Sequence, residues 1–293
     1  MDGSVWLTLR AIFRGVQMAG SFGLFGTVLL SATLLRRPHV GGLKRLAWVC
    51  LAVALGAGLV WFLLQTEELS EAQTTSDFVA SLPIVAWDTC FGTVLLGRCA
   101  ALAVAVICYQ LGRVRLASLL AGGAIVAEAW LTHGGSMEGR LGTVLLSTSM
   151  LHILAAACWL GTLPALYLAI RRLPESHIIV LAKSFSPLGI VCVVALLVTG
   201  LIEYLILIDR LRALVSTAYG FAALAKMIGF ALLIVLAATN RNWLTPRLPG
   251  TRRHLLHSIS AEVLLGLVVL IAAGLTLQFT PPTMVGNADG RLI

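Results

Sequence analysis

The stretch SPLGIVCVVALLVTGLIEYLILI, residues 186–208, decides the fold class of this chain. It contains one charged residue, Glu203, among 23. About 20 apolar residues in a helix are enough to cross the ~30 Å hydrocarbon core of a bilayer. Every backbone N–H and C=O group in lipid needs a partner within the segment, and a helix supplies one. The stretch therefore predicts a transmembrane helix.

Seven similar runs occur along the chain, and clusters of Pro and Gly separate them. We place the eight spans at about 8–35, 43–65, 89–111, 114–132, 142–170, 186–208, 217–239 and 255–279. Of the 293 residues, 59% are hydrophobic and 12% are charged, whereas a soluble domain carries about 25% charged residues. We therefore predict an all-α polytopic membrane helical bundle, folded as a single integral membrane domain over residues 1–293.

The basic residues between the runs are concentrated in alternate loops. Thirteen basic residues lie in the odd-numbered loops: Arg36, Arg37, Lys44, Arg45, Arg113, Arg115, Arg171, Arg172, Lys183, Arg241, Arg247, Arg252 and Arg253. Glu175 is the single acid there. The even-numbered loops and the tails hold the acids Asp2, Glu67, Glu68, Glu71, Asp77, Asp88, Glu138, Asp209 and Asp289. Basic loops face the cytoplasm, so both termini are predicted to lie outside it.

Arg10 and Arg14 depart from this pattern, because they lie at the outer start of the first span. The four basic residues of the next loop outweigh them. The formal net charge of +8 thus reflects membrane orientation, and we predict no nucleic-acid partner.

Several ionisable side chains lie at membrane depth, where each is costly and is a functional candidate. They are Arg98, Glu128, His152, Glu203, Lys226 and Glu262. Two interpretations of the charged residues stay open. They could form buried ion pairs that fix helix register, or they could line a proton or cation path.

His133 and His152 are the strongest candidates for a metal site. The short loop between their spans makes the two helices neighbours. His133 is at the outer face, and His152 lies about 15 Å along its helix at 1.5 Å per residue. Met137 lies in the connecting loop and Met150 near His152, and imidazole and thioether ligands suit copper. A structural, hydrogen-bonded role for His152 remains an alternative.

Met150 and His152 are two positions apart, which places them about 200° apart around a helix. Ser149, Ala156 and Trp159 share the face of His152 instead. The candidate metal ligands are His133, His152, Met137, Met150 and Glu203.

Motifs of covalent or nucleotide chemistry are missing from the sequence. It has no Walker P-loop, no Ser/His/Asp or His-Glu-x-x-His arrangement and no Cys-x-x-Cys-His haem attachment. None of the six cysteines forms a Cys-x-x-Cys pair, so we predict neither a disulfide framework nor a zinc site. We predict a protein that is not an enzyme and binds no nucleotide.

The second half of the chain resembles the copper resistance protein D family (CopD and PcoD). The fragments that carry the resemblance are LHILAAACWLGTLPAL at 151–166, FSPL at 185–188, TAYGFAALAK at 217–226 and AATNRNWLTPRL at 237–248. THGG at 132–135 is similar to the family's His at the end of the fourth span. Residues about 130–250 hold this signature, whereas residues 1–120 resemble the family only in general character.

The resemblance implies a multi-pass inner-membrane protein of bacteria that moves copper from periplasm to cytoplasm in copper resistance or homeostasis. It also implies a small periplasmic copper-binding partner of the CopC type, with His133 and His152 handling copper at the outer entrance. Two other functions stay open: a membrane haem protein that transfers electrons, and a copper-delivery or assembly factor for an oxidase.

Overall fold

In the computed structural model, which describes residues 3–35, 40–208 and 210–284, every regular element is a helix. The α-helices are α1 Gly3–Thr33, α2 Leu43–Ser70, α3 Thr75–Asp88, α4 Cys90–Gln110, α5 Val114–Val126, α6 His133–Ser136, α7 Gly139–Leu160, α8 Leu163–Arg172, α9 Glu175–Leu207, α10 Ala218–Thr239 and α11 Arg252–Thr276. A 3₁₀ turn, Ala127–Leu131, extends α5, and a π turn, Asn240–Leu244, extends α10.

Within those ranges, eight helical segments are long and apolar enough to cross a membrane, and this confirms the predicted helical bundle and its span number. Five residues used in the loop-charge prediction, Asp2, Arg36, Arg37, Asp209 and Asp289, lie outside the described residues. Below, "outer" means the side predicted to face away from the cytoplasm.

The first helix, α1, is the centre of the bundle. It packs against α2, α5, α7, α8 and α11. Close packing of α1 on α2 depends on Gly20, because a Cβ there would lie 2.6 Å from the backbone nitrogen of Ala54. Gly56 of α2 differs, because a Cβ there would meet open space.

The second loop contains a helix that the hydrophobic runs did not predict. Helix α3 starts at a capping box in which the Thr74 hydroxyl accepts from the Asp77 backbone and the Asp77 carboxylate accepts from the Thr74 backbone. Such a box satisfies backbone donors at a helix start. Asp77, one of the acids of this predicted outer loop, thus has a local structural role.

The fifth span is two helices rather than one. Helix α7 ends at Leu160, and α8 begins at Leu163 with Pro164 in its first turn, where the missing N–H of proline costs no hydrogen bond. At the break, the Gly161 backbone lies directly against the backbone of α1 at Phe22 and Gly26. A side chain on either glycine would overlap backbone atoms.

Helices α9 and α10 diverge from one another. Helix α9 packs on α7, whereas α10 packs on α11. A cavity of about 270 Å³ therefore lies at the inner side, between α7–α8, α9 and the α10–α11 pair.

Candidate functional site

Five polar side chains of α6, α7, α9 and α10 lie within electrostatic or ring contact of one another, and we call them the outer cluster: His133, His152, Glu203, Tyr219 and Lys226. Both imidazoles interact electrostatically with the Glu203 carboxylate and the Lys226 ammonium. The His133 and Tyr219 rings lie 5.9 Å apart between centroids. Three of the five predicted metal ligands, His133, His152 and Glu203, thus face the same region.

The orientation of His152 is fixed by α9. Its Nδ1 lies 2.8 Å from the Thr199 hydroxyl oxygen, and that hydroxyl donates its one proton to the Ala195 carbonyl at 2.6 Å. The Thr199 oxygen must therefore accept from Nδ1–H. This tautomer leaves an unshared electron pair on Nε2, the arrangement in which a histidine binds a metal while its other nitrogen is held by a neighbour.

The environment of Glu203 is set by the same two helices. Ser149, one turn before His152 on α7, donates a hydrogen bond of 3.0 Å to the Glu203 carboxylate. Glu203 itself lies one turn after Thr199 on α9. The predicted face of His152 is confirmed at Ser149, since both side chains point to α9.

His133 lies on the short helix α6, between the fourth and fifth spans. It bonds to the backbone of Thr276, while its buried Nε2 has no hydrogen-bond partner among the described residues. Burial lowers the pKa of His133 below its ordinary value, although the Thr276 backbone and Glu203 act in the opposite direction. A lowered pKa keeps the imidazole neutral, which is the form that binds metals.

The two methionines lie in different places. Met137 packs in an apolar cluster that includes Tyr219 and Leu145, next to the outer cluster. Met150 packs against the core around α1, on the other side of α7 from the contacts of His152. The structure therefore brings Met137 close to the histidines but leaves Met150 apart from them.

In the described part of the chain, no group of three or more His, Cys, Asp or Glu side chains is arranged to hold a metal ion. The outer cluster thus offers at most two protein ligands at one point in this conformation. Two free imidazole nitrogens beside a carboxylate can take up a metal ion, but a ligand from outside or a helix movement is needed to complete its coordination.

A second group of ionised side chains, the arginine cluster, consists of Arg14, Arg98 and Glu128. Glu128 is fully buried and pairs with Arg98 and, at 3.1 Å, with Arg14. Arg98 also donates to the Ala124 carbonyl at 2.8 Å, and Arg14 lies 4.8 Å from the centroid of the Trp61 ring. Here the ion-pair interpretation of the buried charges is confirmed.

Arg10 forms an ion pair with Glu68 at 3.0 Å. Together with the pairing of Arg14, this explains why two arginines at the outer end do not disturb the charge pattern: neither is a free loop charge. Sequence reasoning had treated them only as loop residues, although their position inside an apolar run was the signal.

The inner cavity contains the remaining buried acid. Its walls are mostly apolar, and Glu262 and Asn240 are the polar residues that face each other there. The Asn240 amide donates to the Glu262 carboxylate. Sequence analysis missed Asn240, which lies where α10 changes to the π turn, a deformation often found at functional sites.

An aromatic contact lies at the edge of the inner cavity. Trp159, seven residues after His152 on α7, is 2% exposed and lines the cavity. Its ring meets Phe230 of α10 edge to face, with centroids 6.2 Å apart. A cation moving inward between α9 and α10 would meet this aromatic contact after leaving the outer cluster.

Comparison with known proteins identifies related chains. Residues 179–276 match a family model described as "Copper resistance protein D", and residues 5–143 match one described as "Copper resistance protein D-like, N-terminal domain". "Copper resistance protein D" of Pseudomonas syringae pv. tomato is 28% identical over 261 residues, which cover 84% of this chain and 84% of that protein.

"Copper transport protein CutJ" of Bacillus subtilis (strain 168) is 29% identical over 164 residues, which cover 55% of this chain and 29% of that protein. No solved structure matches the chain. The match over residues 5–143 corrects the expectation that the N-terminal part bears only a general likeness.

Proposed function

Because the chain belongs to the copper resistance protein D family, we propose that it carries copper ions across the bacterial inner membrane, from the periplasm toward the cytoplasm. The observation that carries the proposal is the outer cluster. Two imidazoles, each with one nitrogen held by a neighbour, lie within electrostatic range of one carboxylate, Glu203. Imidazole suits copper, and the names of the relatives favour copper over haem.

His133 and His152 would take up the ion at Nε2, and Glu203 would offset its charge. Met137 would assist from the adjoining loop. Met150 remains a prediction, and it would need a change in α7 to reach the ion. An incomplete coordination shell fits transport, since an ion that is to move on must be bound weakly enough to leave.

The positive charge of Lys226 disfavours a cation in the outer cluster, and the charge of Glu203 offsets it. An ammonium would repel a copper ion, but Lys226 and Glu203 interact with the same imidazoles. Their opposite charges offset each other there. Copper binding at the histidines would then add the charge of the ion to a site that is close to neutral overall.

A small periplasmic protein of the CopC type is the proposed copper donor. The chain has only six Met and six His, and no segment rich in either. Capture from a dilute pool would be inefficient with so few ligands, whereas a partner could deliver the ion directly to His133 at the outer surface.

The test is copper binding to detergent-purified protein and copper uptake into liposomes, with wild type compared against His133→Ala and His152→Ala. We expect each substitution to weaken binding at least about tenfold, equivalent to about 1.4 kcal/mol, and to slow uptake similarly. His254→Ala, at the predicted cytoplasmic end of α11, is the matched control and should behave as wild type.

Unchanged binding and uptake in both outer variants would contradict the proposal and leave His152 with a structural role. Copper binding without uptake in the wild type would favour the delivery function instead. In that case, deleting the protein should lower the activity of a copper oxidase and leave cytoplasmic copper unchanged.

A further inference from the structure

Helices α7 and α9 pack antiparallel, and their contacts define a seam with a regular register. From outside inward, Ser149 bonds to Glu203 and His152 bonds to Thr199. Each step forward on α7 corresponds to a similar step backward on α9. Six residues beyond His152, and seven before Thr199, the same register brings Cys158 beside Cys192.

The two thiols lie close enough to interact directly. At 1.5 Å per residue, this cysteine pair lies about 9 Å deeper along α7 than His152. Cys192 is buried and Cys158 is partly buried, and both are free cysteines. The cysteine spacing did not predict this pair, because 33 residues lie between the two positions in the chain.

The surroundings of the pair are apolar. Cys192 belongs to a buried cluster with Ala155, Trp159, Leu196 and Leu233, and Cys158 packs against that cluster. Buried cysteines commonly serve as small hydrophobes. Two thiols that face one another across a helix interface also present two soft ligands to one point.

We propose that Cys158 and Cys192 form a second copper site, which binds Cu(I) between its two sulfur atoms. This inference rests on the proposed transport function and extends it to the next position along the α7–α9 seam. Sulfur ligands favour Cu(I), whereas the imidazoles of the outer cluster accept either oxidation state. The ion at this depth is therefore the reduced one.

Copper binding at the cysteine pair leaves the net charge at membrane depth unchanged. Cu⁺ takes the place of one thiol proton, so one thiol becomes a thiolate bonded to copper and the other thiol binds through its lone pair. One proton is released to the aqueous phase on the outer side as one Cu⁺ arrives from there, and no electron is transferred. The net charge between the helices is unchanged, which avoids the cost of a bare ion at membrane depth.

The first experiment titrates Cu(I) into detergent-purified protein under ascorbate, against a colorimetric Cu(I) chelator, while the ultraviolet sulfur-to-copper absorption is recorded. We expect a sulfur-to-copper band in wild type and in His152→Ala. It should be lost in Cys158→Ser and in Cys192→Ser, with affinity for one copper reduced at least about tenfold. Cys50→Ser, which changes a partly buried cysteine of α2, should retain the band.

A second measurement needs no variant and decides the matter if a serine variant fails to fold. Wild-type protein in liposomes is treated with a membrane-permeant maleimide, with and without one equivalent of Cu(I), and the labelled peptides are quantified. Bound copper should slow the labelling of Cys158 about tenfold and leave the exposed Cys90 unaffected.

The inference is overturned if the band persists in both serine variants, or if copper leaves the labelling of Cys158 unchanged. Uptake that still depends on His152 would then preserve the transport function without this site. Conversely, uptake could be unchanged by substitution of His133 and His152 while the sulfur-to-copper band is present. That result would support the cysteine site and contradict the outer one.

Discussion

Glu128 is the single carboxylate on which the outer end of helices α1, α4 and α5 depends. It is fully buried, and it offsets the charges of Arg14 and Arg98. Removing one partner from a buried ion pair leaves a charge that is neither solvated nor compensated, at a cost of about 3–5 kcal/mol.

We therefore expect Glu128→Gln to lower the thermal unfolding midpoint of the detergent-solubilised protein strongly, followed by the fluorescence of nearby Trp61. Glu68→Gln is the control. That side chain is 57% exposed and also pairs with an arginine, Arg10, so its replacement should cost no more than about 1 kcal/mol. Equal midpoints for the two variants would show that Glu128 is solvated.

The position of Arg98, Glu128 and Glu262 within apolar runs correctly marked them as ionisable residues at membrane depth. Their partners could not be predicted. Arg98 and Glu128 are 30 positions apart, and the pairing depends on how α4 and α5 turn about their axes. Asn240 carries no charge and lies near a span end, so no sequence signal linked it to Glu262. The hydrophobicity of the surrounding sequence predicts that a residue is buried, but it does not predict which side chain the residue contacts.

At the scale of elements, helix α1 packs directly against the break between α7 and α8. Gly26 of α1 meets the backbone of Gly161 and Thr162, so even a methyl group at position 26 must push the helices apart. Overpacking of this kind typically costs about 1–3 kcal/mol.

Gly26→Ala should therefore destabilise the protein by about that amount and reduce the yield of folded protein. Gly97→Ala is the matched control, because Gly97 lies inside α4 and a Cβ there meets nothing within 4 Å. Alanine is the better helix former by about 1 kcal/mol, so this variant should be neutral or slightly more stable. A destabilised Gly97→Ala with a neutral Gly26→Ala would contradict the packing of α1 against the break.

The number of spanning helices was predictable because each apolar run is long enough by itself to require a helix in lipid. The break at Gly161 was not, even though Gly161 and Pro164 are visible in the sequence. Both residues also occur inside unbroken transmembrane helices, and only the approach of α1 decides between the two outcomes. Helix α3 was missed since it is too short to span, and its signal is a polar capping box rather than an apolar run.

The orientation of the whole molecule follows from loop charge, and it is testable without a transport assay. A fusion of alkaline phosphatase after residue 284 should be active, because that enzyme matures only outside the cytoplasm, whereas green fluorescent protein at the same point should be dark. Fusions after Gly250, in the loop before α11, should give the opposite pair of results. Phosphatase activity after Gly250 would invert the bundle and place His133 at the cytoplasmic face.

At the same scale, Trp159 lies on α7 between His152 and the inner cavity, and its ring packs edge to face against Phe230 of α10. On a copper path from His152 toward Glu262, Trp159 would be the barrier that must move during each transport cycle. A smaller side chain there would join the outer cluster to the cavity of about 270 Å³ permanently.

We therefore expect liposomes containing Trp159→Ala to leak protons or Zn²⁺ several-fold faster than wild-type liposomes, measured with dyes trapped inside. Trp→Ala in a packed interior costs about 3–5 kcal/mol, so thermal unfolding must first show that the variant remains folded. Trp243→Ala removes an indole that is 67% exposed and should not leak. A folded Trp159→Ala that stays as tight as wild type, yet still transports copper, would mean that the ion passes elsewhere, and the α7–α9 seam with its cysteine pair would then be the route to examine.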